Sequence, residues 1–469
     1  MDMSLNFFNR FTNAANAAIF LIALSSCVRN KNSSSESTPK NKPNLIVILT
    51  DDQGYSDVGS FGAKGFTTPN LDQMAKEGAR FTDFYAAPTC SPSRGSLLTG
   101  CYGQRIGITS PLNGPDIGLH PDEITIAENL KENGYTTACI GKWHLGLSDE
   151  MSPVAQGFDY FSGIPLSQIR QGKTEHTDGP EAYYKRQWKK MGVGIKTEVE
   201  YAPDETLFTR RCTEEAVAFL KKNHKNPFFL YLAHPQVHKE VLSSKEFEGR
   251  SKIGRYGDSC EELDWSVGEV LKTLKFLGID KNTLVVFASD NGPWLNQGDQ
   301  SGTAFPLRGG KFSTWEGGIR VPCIMRWPEK IPSGIECSEV VSIMDIFPTF
   351  NKLIGSKMPD DRIIDGKDIW PLMSGQQEAK SPHDAFFYYK LGQLEGVRSG
   401  KWKLHKSGQS WALYNLEKDI GESSNVSKNN PEVLAKLQKL LEVARKDMGD
   451  TNKNYIGENV RPLGRISKN

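Results

Sequence analysis

Four short apolar runs, each ending on ionisable or amide side chains, constrain this fold more than any other feature of the chain. NLIVILT at 44–50 leads into Asp51 and Asp52, and TTACI at 136–140 leads into Lys142 and His144. PFFLYLA at 227–233 precedes His234 and His238, and TLVVFAS at 283–289 precedes Asp290 and Asn291. Nearly unbroken apolar runs of this length suit strands buried on both faces, which requires a parallel sheet covered by helices. Stretches of helical period lie between them. In 258–277, Leu263, Val267, Val270, Leu271, Leu274 and Leu277 share one stripe, and 206–223 reads as a second helix. Strands alternating with helices give an α/β fold with a large, mostly parallel sheet sandwiched by helices, in which ligands bind beyond the carboxyl ends of the strands. The polar residues after all four runs are therefore expected in one place.

The remaining segments fill in this plan. Thr68-Pro69 is expected to cap a helix through Lys76 that closes at Gly78, 81–87 is extended, and 123–133 is helical up to Gly134. A strand is predicted over 322–327 and a helix over 344–353. Lys142 and His144 are expected on one side of an extended segment, because strand side chains repeat every two residues. Residues 165–203 are polar, with Tyr183, Tyr184 and Trp188, and read as an insertion over the active face or as a surface excursion without function. From about 385 the pattern alternates and turns at glycines, and 431–448 is helical, which predicts a small antiparallel sheet with one covering helix.

Formal net charge is +1, so no global field favours nucleic acid, and any anion selectivity must be local. Arg10 followed by the apolar run AANAAIFLIAL at 14–24 reads as a targeting segment, too short to span a bilayer. Leu24-Ser25-Ser26-Cys27 resembles a bacterial lipobox, whose cysteine is diacylated; a plain secretory signal is the other reading, and both mean export. The expected organisation is a lipoprotein signal peptide at 1–27, a flexible tether at 28–42, a catalytic domain at 43–380 and a C-terminal α+β subdomain at 381–469. The membrane is then met only through the lipid. Cys101, Cys139, Cys212, Cys260, Cys323 and Cys337 are widely spaced and form no C-x-x-C unit, which argues against a zinc site or a dense disulfide scaffold. Buried thiols are expected, with Cys323 and Cys337 an unproven pair.

The chemistry is concentrated in C-S-P-S-R-G-S-L-L-T-G at 90–100. Pro92 fixes φ, Ser93 to Leu98 can begin a helix whose free N–H groups face an anion, and Arg94 lies over the same pole. This run, together with G-Y-T-T-A-C-I-G-K-W-H from Gly134, resembles the two signatures of the type I sulfatases, the Cys-type, formylglycine-dependent members of the alkaline phosphatase superfamily. The phrasing is closest to arylsulfatase A-like and N-acetylgalactosamine-6-sulfatase-like members.

The resemblance implies an alkaline phosphatase-like sheet and conversion of Cys90 to formylglycine by a maturase. It further implies catalytic roles for Cys90, Arg94, Lys142, His144, His238 and Lys311, with His238 favoured over His234. Its metal shell maps onto Asp51, Asp52, the modified Cys90, Asp290 and Asn291. Oxygen donors alone favour a hard ion, one Ca2+ with Mg2+ second, and an amide at Asn291 in place of imidazole argues against a two-zinc site. The implied substrate is a sulfated carbohydrate, such as a glycosaminoglycan fragment. Two alternatives stay open on sequence: a phosphonate or phosphate monoester hydrolase of the same superfamily, and a non-catalytic, lipid-anchored glycan-binding protein.

Overall fold

In the strand β1, Asn44–Thr50, Leu45, Val47 and Leu49 enter one hydrophobic core while Ile46 and Ile48 enter another on the opposite face. Burial on both faces is what the unbroken apolar run required. The computed structural model describes residues 42–114, 116–166, 182–188, 195–201, 204–408 and 410–466; the expected signal peptide, lipobox and nearly all of the tether lie outside the described residues. Asn41–Asn469 form one compact unit.

Among the described residues, ten strands make the large sheet. After β1 they are β2 (Ala79–Phe81), β3 (Thr136–Lys142), β4 (Tyr160–Ile164), β5 (Ala182–Trp188), β6 (Ile195–Tyr201), β7 (Phe228–Ala233), β8 (Thr283–Ser289), β9 (Cys323–Arg326) and β10 (Ile335–Cys337). Their order across the sheet is β10-β2-β9-β8-β1-β7-β3-β4-β5-β6. The central run β8-β1-β7-β3-β4 is parallel throughout, and β9 and β5 are the antiparallel strands that flank it. The four apolar runs thus became four adjacent central strands, and their carboxyl ends lie side by side.

Helices α1 (Pro69–Lys76), α2 (Cys90–Thr99), α3 (Ile126–Glu132), α4 (Phe208–Asn223), α5 (Arg255–Phe276) and α6 (Ile346–Ile354) belong with this sheet. Leu71, Met74, Phe219, Val267 and Val270 fill one face, and Leu97, Leu98, Ile126, Phe347 and Phe350 the other. The small antiparallel sheet is β11 (Phe386–Lys390), β12 (Gln393–Ser399), β13 (Trp402–Ser407) and β14 (Ser410–Asn415), paired in sequence order. Helix α7, Pro431–Met448, packs Leu437, Leu441 and Ala444 onto its Leu394, Val397 and Leu404. Phe386 and Tyr388 join Tyr85, Ile319 and Met344 of the preceding part of the chain.

Several local expectations are corrected. Part of 165–203 forms the β5–β6 hairpin, which widens the sheet at its edge beside β4; residues 167–181 lie outside the described residues. Thr68 does not cap α1 with its hydroxyl, which instead accepts from Gly59 N at 2.7 Å. The free N–H groups of Asn70 and Leu71 go to the Asp264 carboxylate of α5 at 3.1 and 2.8 Å, a cap supplied from a distant helix. Helix α3 starts at Ile126, where Thr125 and Glu128 close a capping box, so Glu123 is left to pair with Arg461. Strand β3 ends at Lys142, and His144 follows in a left-handed turn with φ 57°, so strand alternation does not set its direction. The described cysteines from Cys90 onward are all buried free thiols, Cys323 and Cys337 included. No described helix is long and apolar enough to cross a membrane.

Candidate active site

The strand ends and α2 bring three carboxylates and three cations into one buried group. Asp51 and Asp52 follow β1, Asp290 and Asn291 follow β8, Lys142 ends β3, and Lys311 comes from the glycine-rich loop after β8; all are buried. Arg94 projects from α2, whose first residue is Cys90, itself only 2 % exposed. The left-handed Gly100 ends that helix.

Arg94 is fixed from three sides. Its Nε and Nη2 donate to Asp290 Oδ2 at 3.0 and 2.8 Å, Nη1 donates to the Lys142 carbonyl at 2.8 Å, and Nη2 stands 3.6 Å from Asp51 Oδ2. Lys142 Nζ sits on Asp51 Oδ2, and Lys311 Nζ lies 2.6 and 2.8 Å from the two Asp52 oxygens. Asn291 Nδ2 donates to Asp52 Oδ1 at 2.7 Å, and Asp52 N donates to Asp290 Oδ1 at 3.2 Å. Asp52 takes up φ 61°, a left-handed conformation uncommon outside glycine and typical of strained functional turns.

The electrostatics are those of crowded, buried charge. Burial, with repulsion from Asp51, pushes the Asp290 carboxyl up to about 6 against the pull of Arg94 and Lys142. Burial also raises Asp52. At Asp51 burial acts in the same sense but is overcome by Lys142, His238 and Arg94, which hold it below the usual carboxylate range. Burial raises the Cys90 thiol against the nearby Lys142 and Lys311, so an unmodified sulfur here is a neutral thiol.

Both histidines have defined hydrogen bonds. His144 Nε2 lies 3.1 Å from the Leu112 carbonyl, which makes Nε2 the donor and leaves the Nδ1 lone pair, buried and without a partner among the described residues. Burial and the neighbouring Lys142 and Arg94 keep the ring neutral. His238 Nδ1 donates to the Lys239 carbonyl at 2.7 Å, and its Nε2 faces Asp52 Oδ2 at 3.8 Å. His234 lies elsewhere, bonded through Nε2 to Ser266 Oγ of α5 at 3.0 Å, which separates it from His238 as a core residue.

The residues fit a divalent ion. Asp51 Oδ1 and Asn291 Oδ1 are buried and meet no donor among the described residues, a costly arrangement that a hard cation would satisfy. Ligand-capable atoms of Asp51, Asp52 and His238 lie within 4.8 Å of one another. Of the site residues expected from sequence, Asp51, Asp52, Asp290, Asn291, Arg94, Lys142, Lys311 and His238 are tied together by these contacts, while Cys90 and His144 lie near enough to feel the Lys142 charge. The sequence reading missed the layer beneath. Gln53 N donates to Ser289 Oγ at 3.0 Å, and that hydroxyl donates to Asn291 O at 2.9 Å, tying the two strand-end turns together. Tyr231 of β7 reaches Arg94 Nη1 at 3.4 Å. Gln53 stands beside the paired aspartates, but an uncharged residue in a turn carries no periodicity to mark it.

The sulfatase family profile matches residues 43–356, and the profile described as N-sulphoglucosamine sulphohydrolase, C-terminal, matches 310–447. Human steryl-sulfatase is 36 % identical over 452 residues, spanning 81 % of this chain and 77 % of that protein. Canine N-acetylgalactosamine-6-sulfatase is 38 % identical over 410 residues, spanning 82 % and 76 %. Among solved structures, Ps i-CgsB in complex with k-i-k-neocarrahexaose superposes with a TM-score of 0.77 at 32 % identity, covering 89 % of this chain and 95 % of that one. The PsFucS1 sulfatase from Pseudoalteromonas sp. superposes with a TM-score of 0.78 at 28 % identity, covering 86 % and 89 %.

Proposed function

The chain belongs to the sulfatase family and is a sulfuric ester hydrolase; from that premise we propose that it removes sulfate from a sulfated carbohydrate, using Cys90 as formylglycine and one divalent cation, calcium before magnesium. The observation that carries the reading is the convergence of Cys90, Arg94, Lys142, Lys311 and two oriented histidines on a single carboxylate group. The sugar class is supported by relatives named for carbohydrate sulfates and by a neighbour solved with a neocarrahexaose.

Charge decides what this site can hold. Asp51, Asp52 and Asp290 carry three negative charges, and Arg94, Lys142 and Lys311 carry three positive ones, giving zero. A divalent ion on the carboxylates leaves +2 in a dry pocket, a field suited to a sulfate monoester. Asp51, Asp52, Asp290, Asn291 and the modified Cys90 would hold that ion, which supplies charge neutralisation when bound. Cys90 as hydrated formylglycine would supply a hydroxyl as nucleophile and a second hydroxyl whose proton a base can remove.

The chain's own side chains do the rest. Arg94, pinned to Asp290 and the Lys142 carbonyl, holds the Cys90 end of the site against the carboxylates. The ammonium groups of Lys142 and Lys311 bind the sulfate oxygens. His144 accepts a proton at Nδ1, the nitrogen left free by its bond to Leu112. Lys311 Nζ, held at Asp52, delivers a proton to the leaving oxygen; His238, whose Nδ1 donates to the Lys239 carbonyl and whose ring burial keeps neutral, can do so only after Nε2 has taken up a proton.

In this reading the protein is exported, matured by a formylglycine-generating enzyme and anchored through Cys27. Labelling with a fatty acid, lost in Cys27→Ala, tests the anchor. For the reaction, purified protein co-expressed with a maturase is assayed for inorganic sulfate release from defined sulfated sugars, with mass spectrometry of the Cys90 peptide. Aldehyde at Cys90, turnover of at least one sugar sulfate, and a fall of at least ~10^3-fold in Cys90→Ala are expected. Full activity with an unmodified thiol, or faster turnover of the phosphate than the sulfate ester of one phenol, sinks it.

A further inference from the structure

Two aromatic side chains outside the charged group stand at its rim. Trp294 follows Asp290 and Asn291 and is half-buried, while Phe312 follows Lys311 and is 40 % exposed. Their ring centroids are 5.6 Å apart with planes at 80°, and the His238 ring is 5.8 Å from Trp294. Lys311 Nζ lies 5.1 Å from the Trp294 centroid and 5.4 Å from that of Phe312, so one ammonium touches both the charged group and the aromatic edge.

Packing does not explain Phe312. Its φ is 67°, and a solvent-facing position with left-handed backbone is where glycine or asparagine is physically favoured. The segment is nonetheless rigidly placed: Phe312 N donates to the Pro88 carbonyl at 2.9 Å, two residues before Cys90, and Lys311 N donates to the Pro293 carbonyl at 2.9 Å. A half-exposed ring held at fixed distance from the reacting group is a surface for something that stacks on it. Lys239, the residue after His238, donates from Nζ to Oε1 of Gln297, three residues beyond Trp294, at 2.7 Å, so the segments that carry the His238 and Trp294 rings also carry side-chain donors. A pyranose has apolar C–H faces and several hydroxyls and matches both; a simple aryl ring offers no hydroxyls to the polar side chains.

We propose that Trp294 and Phe312 stack on the sugar ring that bears the scissile sulfate, with Lys239 and Gln297 meeting its hydroxyls, and that this wall sets which esters the site accepts. The inference rests on the sulfatase reading but is tested by binding. In a Cys90→Ser background with calcium, calorimetric titrations use 4- and 6-sulfated N-acetylgalactosamine, galactose 6-sulfate, 4-nitrophenyl sulfate and inorganic sulfate. Phe312→Asn, which tolerates the left-handed backbone, weakens the tightest sugar ester on the order of tenfold while inorganic sulfate changes less than twofold. Phe312→Tyr retains sugar affinity within twofold, and Trp294→Leu weakens the sugar ester in the same sense. The proposal is overturned if Phe312→Asn leaves sugar affinity intact or weakens inorganic sulfate equally. It is also overturned if Tyr fails to retain affinity, if the aryl ester depends on Phe312 more than any sugar ester, or if no sugar ester binds more tightly than inorganic sulfate. Absence of sulfate release by the enzyme with Cys90 in place, with this binding pattern preserved, sinks the hydrolase reading and leaves the wall standing.

Discussion

Two buried charge clusters in this molecule contain the same numbers of charges and do opposite things. The site sets Asp51, Asp52 and Asp290 against Arg94, Lys142 and Lys311. The second cluster, joining the antiparallel sheet to the preceding part of the chain, sets Asp83, Glu316 and Glu422 against Arg320, Arg398 and Lys403. In the second, every carboxylate oxygen faces a donor or a cation, Glu422 Oε1 meeting Lys403 as an ion pair without hydrogen-bond geometry. Glu316 meets Lys403 at 2.9 Å, Tyr388 at 3.0 Å and Tyr85 at 2.5 Å, and Asp83 meets Arg320 and Arg398 at 2.5 and 2.6 Å. Glu422 receives Lys403 at 2.7 Å and Glu316 N at 2.8 Å. In the first, Asp51 Oδ1, Asn291 Oδ1 and His144 Nδ1 have no partner among the described residues. Equal charge therefore does not mean equal role. A saturated network fixes structure, whereas one with spare lone pairs is built to take a ligand.

Breaking the saturated cluster should cost the most stability. Lys403→Met leaves Glu316 and Glu422 buried without their shared cation and is expected to lose about 3–5 kcal/mol in urea unfolding. Lys142→Met, measured in saturating calcium, is expected to lose less than half of that while activity falls ~10^2-fold or more. Equal stability losses would erase the distinction. Next in size is the response to metal. At a calcium concentration of 100 times Kd the unfolding free energy should rise by about 2.7 kcal/mol, reversed by chelation. Asp51→Asn should abolish the rise and Lys403→Met should keep it; the opposite pattern would place the ion elsewhere.

The smallest effect concerns acid. At Glu316 burial acts to raise the carboxyl, but Lys403, Arg320 and Arg398 overcome it and hold it well below the ordinary carboxylate range. Below pH ~4.5 the unfolded chain takes up a proton that the folded chain refuses, so this contribution is complete above that pH and declines as pH falls. The stability gap between the unsubstituted protein and Glu316→Gln should narrow by about 1 kcal/mol from pH 4.5 to 3.5. A constant gap would mean that the network does not hold Glu316 ionised.

Much of this was legible beforehand, and the reasons are local. The runs at 44–50, 136–140, 227–233 and 283–289 read as central strands because burial on both faces forbids polar alternation. Asp51, Asp52, Asp290 and Asn291 were legible because they follow those runs directly. The β5–β6 hairpin was not, since AYYKRQW and IKTEVEY contain no unbroken apolar run like those of the central strands. Nor was the cap of α1, which Asp264 supplies from almost two hundred residues away. Trp294, Phe312 and Gln53 escaped because loop residues carry no period.

By itself the sequence determined which residue types could do this chemistry and that they would follow strands, because hydrophobic periodicity and strand-end carboxylates are properties of neighbours along the chain. Tertiary structure alone decided which strand lies beside which, which histidine nitrogen is free, and which of two equal charge clusters keeps lone pairs unspent. Those outcomes depend on distances between segments as far apart in sequence as Asp83 and Arg398, and local pattern does not encode them.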